Sequence, residues 1–238
     1  MSAVLYGVGA GPGAPDLLTL RAVAVLRSVP VVAAPRPSDG EESLAWRIAR
    51  EAVGEVPGQE RLLLTFPMTR DAAVRRAARE AALATVAGHL AQGRSVAFVT
   101  EGDPLLYSTF LDLLAAAPRA GARVEVVPGV SSVTAVGAAA RVPLADGEDA
   151  VAVLPAARAL RDLARLVRDF ETLLLFKAGR HLADLAGALA ALGVAERAWV
   201  VSDASRPGER VTPLVARDAA RAGYFTTVLV RTRAQEAA

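Results

Sequence analysis

Three short segments of this chain combine residue types from which ligand sites are built. The first is the glycine-rich run at residues 7–13, where glycine lets the backbone turn sharply and approach a ligand closely. In one register Gly9, Gly11 and Ala14 fit the dinucleotide fingerprint G-x-G-x-x-G/A, which predicts a nicotinamide site. Two prolines interrupt the turn that such a site needs, so a tight strand-to-helix turn without a ligand competes with this interpretation.

The other two segments offer polar groups after predicted strands. In residues 100–109, Asp103 can accept hydrogen bonds from a ligand, or it can form an Asp-Pro turn that caps the next helix. In residues 128–132, the hydroxyls of Ser131 and Ser132 can bind a ligand or cap the helix that follows. Loops at the carboxyl ends of parallel strands are where open α/β sheets bind ligands, so these segments are candidate site loops.

The elements that must position these loops are short apolar runs that alternate with longer Ala-rich segments. Strands are predicted at residues 4–9, 29–33, 61–65, 95–100 and 124–127. Helices are predicted at residues 17–27, 43–52, 71–91, 109–116 and 132–140. Fully apolar strands that alternate with helices predict a mostly parallel sheet covered on both faces.

A polar, turn-rich segment at residues 143–149 predicts a linker between a domain at 1–142 and one at 150–238. Beyond it, strands are predicted at residues 150–154, 172–176, 197–202, 211–215 and 225–231, and helices at 160–168 and 181–192. Little helix separates the last three strands, which favours antiparallel pairs. A stripe facing a sheet is predicted for four leucines of the last helix, Leu182, Leu185, Leu189 and Leu192. The expected fold class is therefore α/β, with a mostly parallel N-terminal sheet, a mixed C-terminal sheet and a ligand cleft between the two domains.

Composition narrows the function classes. The 238 residues are 53% hydrophobic and 22% charged, which is too apolar for disorder and too charged for a membrane bundle. Cysteine is absent, so disulfides, thiolate catalysis and Cys-zinc sites are excluded. No signal peptide is expected, and the protein is expected to be cytoplasmic with no membrane or nucleic-acid partner.

Lys177 is the only lysine, and arginine, whose planar fork binds carboxylates, supplies the other basic charges. His89 and His181 lack metal-ligand spacing, so no metal site is expected.

The three loops together, in this order, resemble those of the tetrapyrrole methylase family, which transfers methyl groups from S-adenosylmethionine. The resemblance consists of GAGPG at residues 9–13, GDP at 102–104 and PGVS at 128–131. Further pieces resemble the branch of that family that methylates C20 of precorrin-2: LYGVG at 5–9, FPMT at 66–69, GDPLLYSTF at 102–110, VLPA at 153–156 and YFTTVLV at 224–230. The chain departs from the family at Ala14, where an aspartate is common, and at Arg21, where a lysine is frequent.

The resemblance implies methylation of C20 of precorrin-2, or of its cobalt form, in corrin biosynthesis by a homodimer. It also implies S-adenosylmethionine contacts, mostly through the backbone, at Pro12, Glu101, Gly102, Asp103, Leu106, Ser131, Ser132, Ala178 and Ala204. Tetrapyrrole contacts are expected at Gly11, Arg21, Arg36 and Arg206. By location, Asp103, Tyr107 and Glu101 are candidates for removing the C20 proton, and solvent is a fourth alternative. The alternatives are another tetrapyrrole methylase, acting on uroporphyrinogen-III or a later precorrin, or a nicotinamide-dependent reductase.

Overall fold

A computed structural model describes residues 3–117, 122–216 and 223–233, which fall into two compact units, Met1–Ser131 and Ser132–Ala238. The strands of the first unit are β1 (Val4–Gly9), β2 (Val31–Arg36), β3 (Glu60–Thr65), β4 (Val96–Thr100) and β5 (Arg123–Val127). Its helices are α1 (Leu20–Ser28), α2 (Leu44–Val53), α3 (Ala72–Ala91) and α4 (Phe110–Ala116). Side chains that accept from free backbone N–H groups begin three of these helices: Thr19 at α1, Ser43 at α2 and Asp71 at α3.

The first sheet is parallel, in the order β3-β2-β4-β1-β5, as the strand and helix alternation predicts. Successive side chains along β4 enter opposite cores: Ala97 and Val99 pack with α1 and α2, whereas Val96 and Phe98 pack with α3 and α4. The connections that follow the neighbouring strands β1 and β4 therefore pass to opposite faces of the sheet. Such a reversal opens a crevice at the carboxyl ends of the two strands, where open α/β sheets bind ligands.

The second unit has a mixed sheet. Its strands are β6 (Val151–Pro155), β7 (Thr172–Phe176), β8 (Ala198–Ser202), β9 (Arg210–Pro213) and β10 (Thr226–Arg231), in the order β6-β7-β10-β8-β9. β6 and β7 are parallel, whereas β10 is antiparallel to β7 and β8, and β9 to β8. The predicted antiparallel pairs are thus confirmed.

Helices cover both faces of the second sheet. They are α5 (Ser132–Ala140), α6 (Ala156–Ala159), α7 (Leu163–Asp169) and α8 (Leu182–Ala191). On one face, Leu182, Leu185 and Leu189 of α8 are buried with α7. On the other, Val136 of α5 packs against leucine and valine side chains of β7, β8 and β10. Because of this packing α5 belongs to the second unit, and the predicted linker at residues 143–149 follows that helix.

Two local predictions are wrong. Leu192 does not join the buried leucine stripe, because α8 ends before it and its side chain is 36% exposed. The helix predicted at residues 160–168 begins later, at Leu163, because the backbone of Asp162 has φ −151° and ψ 35°, outside the helical region. Within residues 3–117, 122–216 and 223–233, no helix is long and apolar enough to cross a membrane.

Candidate functional site

Beyond the ends of β1 and β4, the two segments that follow these strands continue to form backbone hydrogen bonds with each other. The Ala10 N–H donates to the Thr100 carbonyl at 2.8 Å, and the Gly102 N–H donates to the Gly11 carbonyl at 2.7 Å. Gly11 and Gly102 have φ angles of 74° and 65°, in the left-handed region that side chains disfavour. Glycine is therefore favoured at both positions, and the pairing places Gly11 beside the loop that carries Asp103.

Three glycines bring the loops after β1, β4 and β5 into backbone contact. A Cβ built on Gly9 would lie 2.5 Å from the Gly102 carbonyl oxygen, and one on Gly129 would lie 2.1 Å from that oxygen. Both distances are far inside van der Waals contact, so neither position has room for a side chain. A Cβ on Gly102 itself meets no atom of the described residues within 4 Å, so the opposite side of this packed backbone is open to a ligand.

Asp103 ties two of these loops together. Its Oδ1 accepts from the Leu105 N–H at 2.8 Å, and its Oδ2 accepts from the Gly129 N–H at 3.1 Å. Asp103 does not cap α4, which begins later and whose Phe110 N–H donates to Ser108 Oγ at 3.0 Å. The carboxylate instead fixes its own turn and the position of the loop after β5.

The geometry of the first loop does not favour the dinucleotide interpretation. A pyrophosphate site needs a helix that begins directly at the glycine turn, so that its free N–H groups face the phosphates. Here a short 3₁₀ turn, Pro15–Leu17, follows Ala14, and α1 begins only at Leu20. Pro15 accounts for the separation between the glycine turn and α1, because it begins the 3₁₀ turn.

Tyr107 lies further along the β4–α4 connection with a strained backbone. Its φ is 53°, uncommon for a residue with a side chain, and the residue is 51% exposed. Such strain is concentrated at ligand sites, where the surrounding fold holds it in place. Tyr107 lines a cavity of about 250 Å³ that also contains Arg75 and Arg79 of α3, two residues that the sequence analysis missed. Their i, i+4 spacing on one helix face, close after the FPMT segment, is the signal that could have identified them.

The three arginines predicted to bind substrate all have carboxylate partners. Arg21 Nη2 lies 3.1 Å from Glu125 Oε2, and Arg206 Nη1 lies 3.0 Å from Asp203 Oδ1. Arg36, at the carboxyl end of β2, donates to Thr65 Oγ1 at 3.1 Å and pairs with Asp39. The Thr65 hydroxyl, which donates to Asp39, and then the Arg36 charge hold the pKa of the Asp39 carboxyl below its usual value.

Three predicted residues of the second unit, Ala178, Ala204 and Arg206, lie in loops at one end of its sheet. The Ala178 N–H, just after β7, donates to the Thr226 carbonyl at 2.9 Å, and the Asp203 N–H, just before Ala204, donates to the Phe225 carbonyl at 2.9 Å. The Arg206 guanidinium stacks over the Phe225 ring at 4.1 Å. The backbones of Lys177, Asp203 and Ser205 all have positive φ, which the sequence did not indicate.

The other predicted residues are placed singly. Pro12 and Glu101 are half-buried in the loops after β1 and β4, and the Leu106 N–H donates to the Asp103 carbonyl at 3.3 Å. Ser131 is the last residue of the first unit and Ser132 begins α5 of the second. Within the first unit, the structure thus brings Gly11, Gly102 and Asp103 together.

The first unit has a crevice at the carboxyl end of a parallel sheet, where glycine backbones pack closely, and the second unit has a mixed sheet. This combination defines an α/β fold that can offer backbone groups to a small molecule. Residues 4–220 match the family described as Tetrapyrrole (Corrin/Porphyrin) Methylases, and the chain belongs to this family.

Among characterised relatives, cobalt-precorrin-2 C(20)-methyltransferase of Salmonella typhimurium is 35% identical over 234 residues, 97% of each chain. Precorrin-2 C(20)-methyltransferase of a Sinorhizobium species is 35% identical over 240 residues, 95% of this chain and 94% of that protein. A solved structure of uroporphyrin-III C-methyltransferase from Thermus thermophilus, complexed with S-adenosylhomocysteine, superposes with a TM-score of 0.69 at 26% identity. That superposition covers 96% of this chain and 97% of the other.

Proposed function

We propose that this chain transfers a methyl group from S-adenosylmethionine to C20 of precorrin-2 or of cobalt-precorrin-2 in corrin biosynthesis. The observation that carries the proposal is its 35% identity, along nearly the whole chain, to two enzymes named for this methylation. One of them is named for the cobalt substrate and the other for the metal-free one at equal identity, so the proposal includes both.

The loops of the first unit fit S-adenosylmethionine in their chemistry. The open side of Gly102 lets a ligand approach the backbone at the carboxyl ends of β1 and β4, where N–H and carbonyl groups are concentrated. We assign to the cofactor the residues that the family resemblance implied: Pro12, Glu101, Gly102, Asp103, Leu106, Ser131, Ser132, Ala178 and Ala204. When bound, S-adenosylmethionine supplies a methyl group on a sulfonium sulfur, which departs as the thioether of S-adenosylhomocysteine.

The main task of the chain is to orient the reactants. A carbon nucleophile such as the enamine-like C20 needs no covalent catalyst, only a position about 3–3.5 Å from the methyl group and in line with the leaving sulfur. The backbones at Gly9, Gly102 and Gly129 pack closely together, and the Asp103 carboxylate links the loops after β4 and β5. This packing supports a site that holds the reactants in one geometry.

Removal of the C20 proton is assigned to Asp103 or Tyr107. Each Asp103 oxygen accepts one backbone hydrogen bond and keeps a second lone pair that can take a proton. Tyr107 is 51% exposed at the end of the same loop. Tyr107→Phe separates the two. If Tyr107 is the base, this variant binds substrate and S-adenosylhomocysteine as before but turns over slowly, whereas unchanged turnover assigns the step to Asp103.

Tetrapyrrole contacts are proposed at Gly11, Arg21, Arg36 and Arg206. Because each of these arginines already has a carboxylate partner, a ring carboxylate would have to share the guanidinium with Glu125, Asp39 or Asp203. Arginine allows such sharing through its five N–H donors.

Incubation with methyl-labelled S-adenosylmethionine and, separately, precorrin-2 or cobalt-precorrin-2 tests the proposal. Label at C20, located by NMR of the product, is the expected result, and the faster substrate identifies the metal state. Label at C2, C7, C11 or C17 would overturn the C20 assignment in favour of another tetrapyrrole methylation. Calorimetric titration with S-adenosylhomocysteine and with NADPH tests the cofactor, and binding of NADPH alone would contradict it.

A homodimer and a cytoplasmic location, both expected from the sequence analysis, complete the proposal. Sedimentation equilibrium of the purified protein tests the first, with twice the 24.6 kDa chain mass as the expected result. Cell fractionation tests the second.

A further inference from the structure

The first unit contains a small cavity next to the proposed cofactor loop. Three parts of the chain form its walls: the segment directly after β3, helix α3, and the β4–α4 connection with the first turn of α4. The lining residues are, in that order, Phe66 and Pro67, Arg75 and Arg79, and Tyr107, Ser108, Thr109 and Asp112. Its volume of about 250 Å³ is below the roughly 300–1,000 Å³ of pockets that hold whole drug-sized ligands. The cavity therefore fits one substituent of a tetrapyrrole and not its ring.

The charges in this cavity favour an anion. Arg79 Nε lies 2.9 Å from Asp112 Oδ2, so these two charges offset each other. Across residues 3–117, 122–216 and 223–233, no carboxylate pairs with Arg75. The lining side chains thus carry one net positive charge, which a single carboxylate would neutralise. In this respect Arg75 differs from Arg21, Arg36 and Arg206, which all have partners.

The guanidinium of Arg75 is held in place before any ligand binds. Its Nη1 donates to the Thr69 carbonyl at 2.8 Å. Thr69 is fixed in turn, because its Oγ1 accepts from the Asp71 N–H at 3.2 Å and Asp71 caps α3 through the Ala73 N–H at 2.8 Å. A guanidinium held at one nitrogen keeps four N–H donors, enough for a two-pronged contact with a carboxylate. The FPMT segment thus has a physical role, since its threonine orients Arg75.

A hydroxyl in the cavity wall also lacks a partner. Within the described part of the chain, Thr109 Oγ1 is buried and makes no hydrogen bond. Buried hydroxyls are nearly always paired in folded proteins, so the Thr109 hydroxyl is an unsatisfied polar group in a residue that lines the cavity. Phe66 and Pro67 supply an apolar wall suited to the aliphatic stem of an acidic side chain.

From these observations we infer that the cavity binds one acetate or propionate carboxylate of the tetrapyrrole, with Arg75 as its main ligand. The inference rests on the proposed function, which it deepens by assigning one edge of the substrate. Tyr107, Ser108 and Thr109 directly continue the loop assigned to the cofactor. A carboxylate held beside them would help to fix which carbon of the ring is presented to the methyl group.

Steady-state kinetics of two charge variants with the natural substrate test this assignment. Arg75→Gln removes the unpaired positive charge and is expected to raise KM for the tetrapyrrole at least ten-fold with kcat changed less than two-fold. Asp112→Asn removes the competing carboxylate and frees Arg79, and is expected to lower that KM several-fold. Arg76→Gln is the matched control, because Arg76 is an exposed arginine on the same helix and does not line the cavity.

Two further measurements separate substrate binding from structure. Affinity for S-adenosylhomocysteine is expected to be the same in Arg75→Gln as in Arg76→Gln, since it does not depend on a substrate carboxylate. Tm of the two variants measures the separate structural effect of losing the bond from Arg75 to the Thr69 carbonyl. Equal KM values for Arg75→Gln and Arg76→Gln, in an enzyme that does methylate C20, would overturn the inference and leave the proposed function intact. If Arg75→Gln does not fold, an unchanged or raised KM in Asp112→Asn overturns the inference. Absence of C20 methylation by the unmodified protein counts instead against the proposed function.

Discussion

The Asp103 carboxylate spans two loops to accept a hydrogen bond from the backbone N–H of Gly129, at 3.1 Å. The two residues follow different strands, β4 and β5, which are separated in the sheet by β1. Gly9, at the end of β1, lies in the same packed backbone, because a side chain on it would collide with Gly129 and with the Gly102 carbonyl. The candidate site is therefore held by one carboxylate and by the closeness of glycine backbones.

Replacing Asp103 by asparagine should loosen this arrangement. Both Asp103 oxygens face N–H donors, so the amide NH₂ group that Asp103→Asn introduces would oppose one of these donors and leave it unpaired. Loss of one such hydrogen bond costs about 0.5–1.5 kcal/mol, and we expect that loss of unfolding free energy together with weaker S-adenosylhomocysteine binding. Urea unfolding and calorimetry measure the two effects. Asp184→Asn, an exposed aspartate on α8, is the control, and an equal loss there would contradict the explanation.

Adding one methyl group at Gly129 should be costly. The alanine Cβ would lie 2.1 Å from the Gly102 carbonyl oxygen, so two loops would have to move apart. We expect Gly129→Ala to lower the free energy of unfolding by about 1–3 kcal/mol, typical of overpacking, and to reduce methyl transfer. Gly88→Ala is the opposite control, since a Cβ there, inside α3, meets no described atom within 4 Å. It should stabilise the protein by about 0.5–1 kcal/mol, and a comparable loss in both variants would contradict the packing argument.

Asp149 should matter for stability although it is far from the predicted loops in sequence. It pairs at 3.0 Å with Arg231 Nη2, and the Arg231 side chain is only 9% exposed. Removing one partner of a buried pair leaves an uncompensated charge, so Asp149→Ala should cost about 3 kcal/mol of unfolding free energy. Glu42→Ala, which breaks the exposed 3.8 Å pair with Arg47, should leave that free energy nearly unchanged. Chemical denaturation measures the loss of unfolding free energy in both variants. Equal losses would mean that burial of the Asp149–Arg231 pair does not contribute to stability.

Stability should depend on pH through Asp39. Because the Thr65 hydroxyl and Arg36 lower its folded pKa, the ionised carboxylate stabilises the fold above the ordinary aspartate pKa of about 3.9. That contribution is lost as pH falls through the lowered pKa. The difference in unfolding free energy between the unmodified protein and Asp39→Asn should therefore shrink as pH falls below about 4.

NMR titration provides a direct test of the cause. Thr65→Val removes the hydroxyl that donates to Asp39 at 2.6 Å and should raise the Asp39 pKa toward its usual value. For the stability measurement with Asp39→Asn, the control for loss of one negative charge is Asp16→Asn, at an exposed carboxylate in the loop after β1. An Asp39 pKa that does not change in Thr65→Val would contradict the assigned cause.

The sequence by itself determined where the elements lie. Apolar runs predicted all ten strands found in the described residues, and β1 and β7 were predicted with the residue bounds that the structure has. The site loops were also predictable, because Gly11 and Gly102 adopt backbone angles that glycine tolerates best, and that requirement is local. The predicted start of a helix was wrong at Asp162, because the non-helical backbone of this residue delays the start of α7 to Leu163.

Tertiary structure decided which charges and polar groups meet. Nothing in the periodicity indicates that Asp103 reaches Gly129, that Arg21 pairs with Glu125, or that Arg75 has no carboxylate partner within the described residues. Those pairings depend on the strand order β3-β2-β4-β1-β5, which brings together segments that are distant along the chain. Hydrophobic patterns specify which face of an element is buried, whereas the partner of a polar side chain is set by the three-dimensional order of the elements.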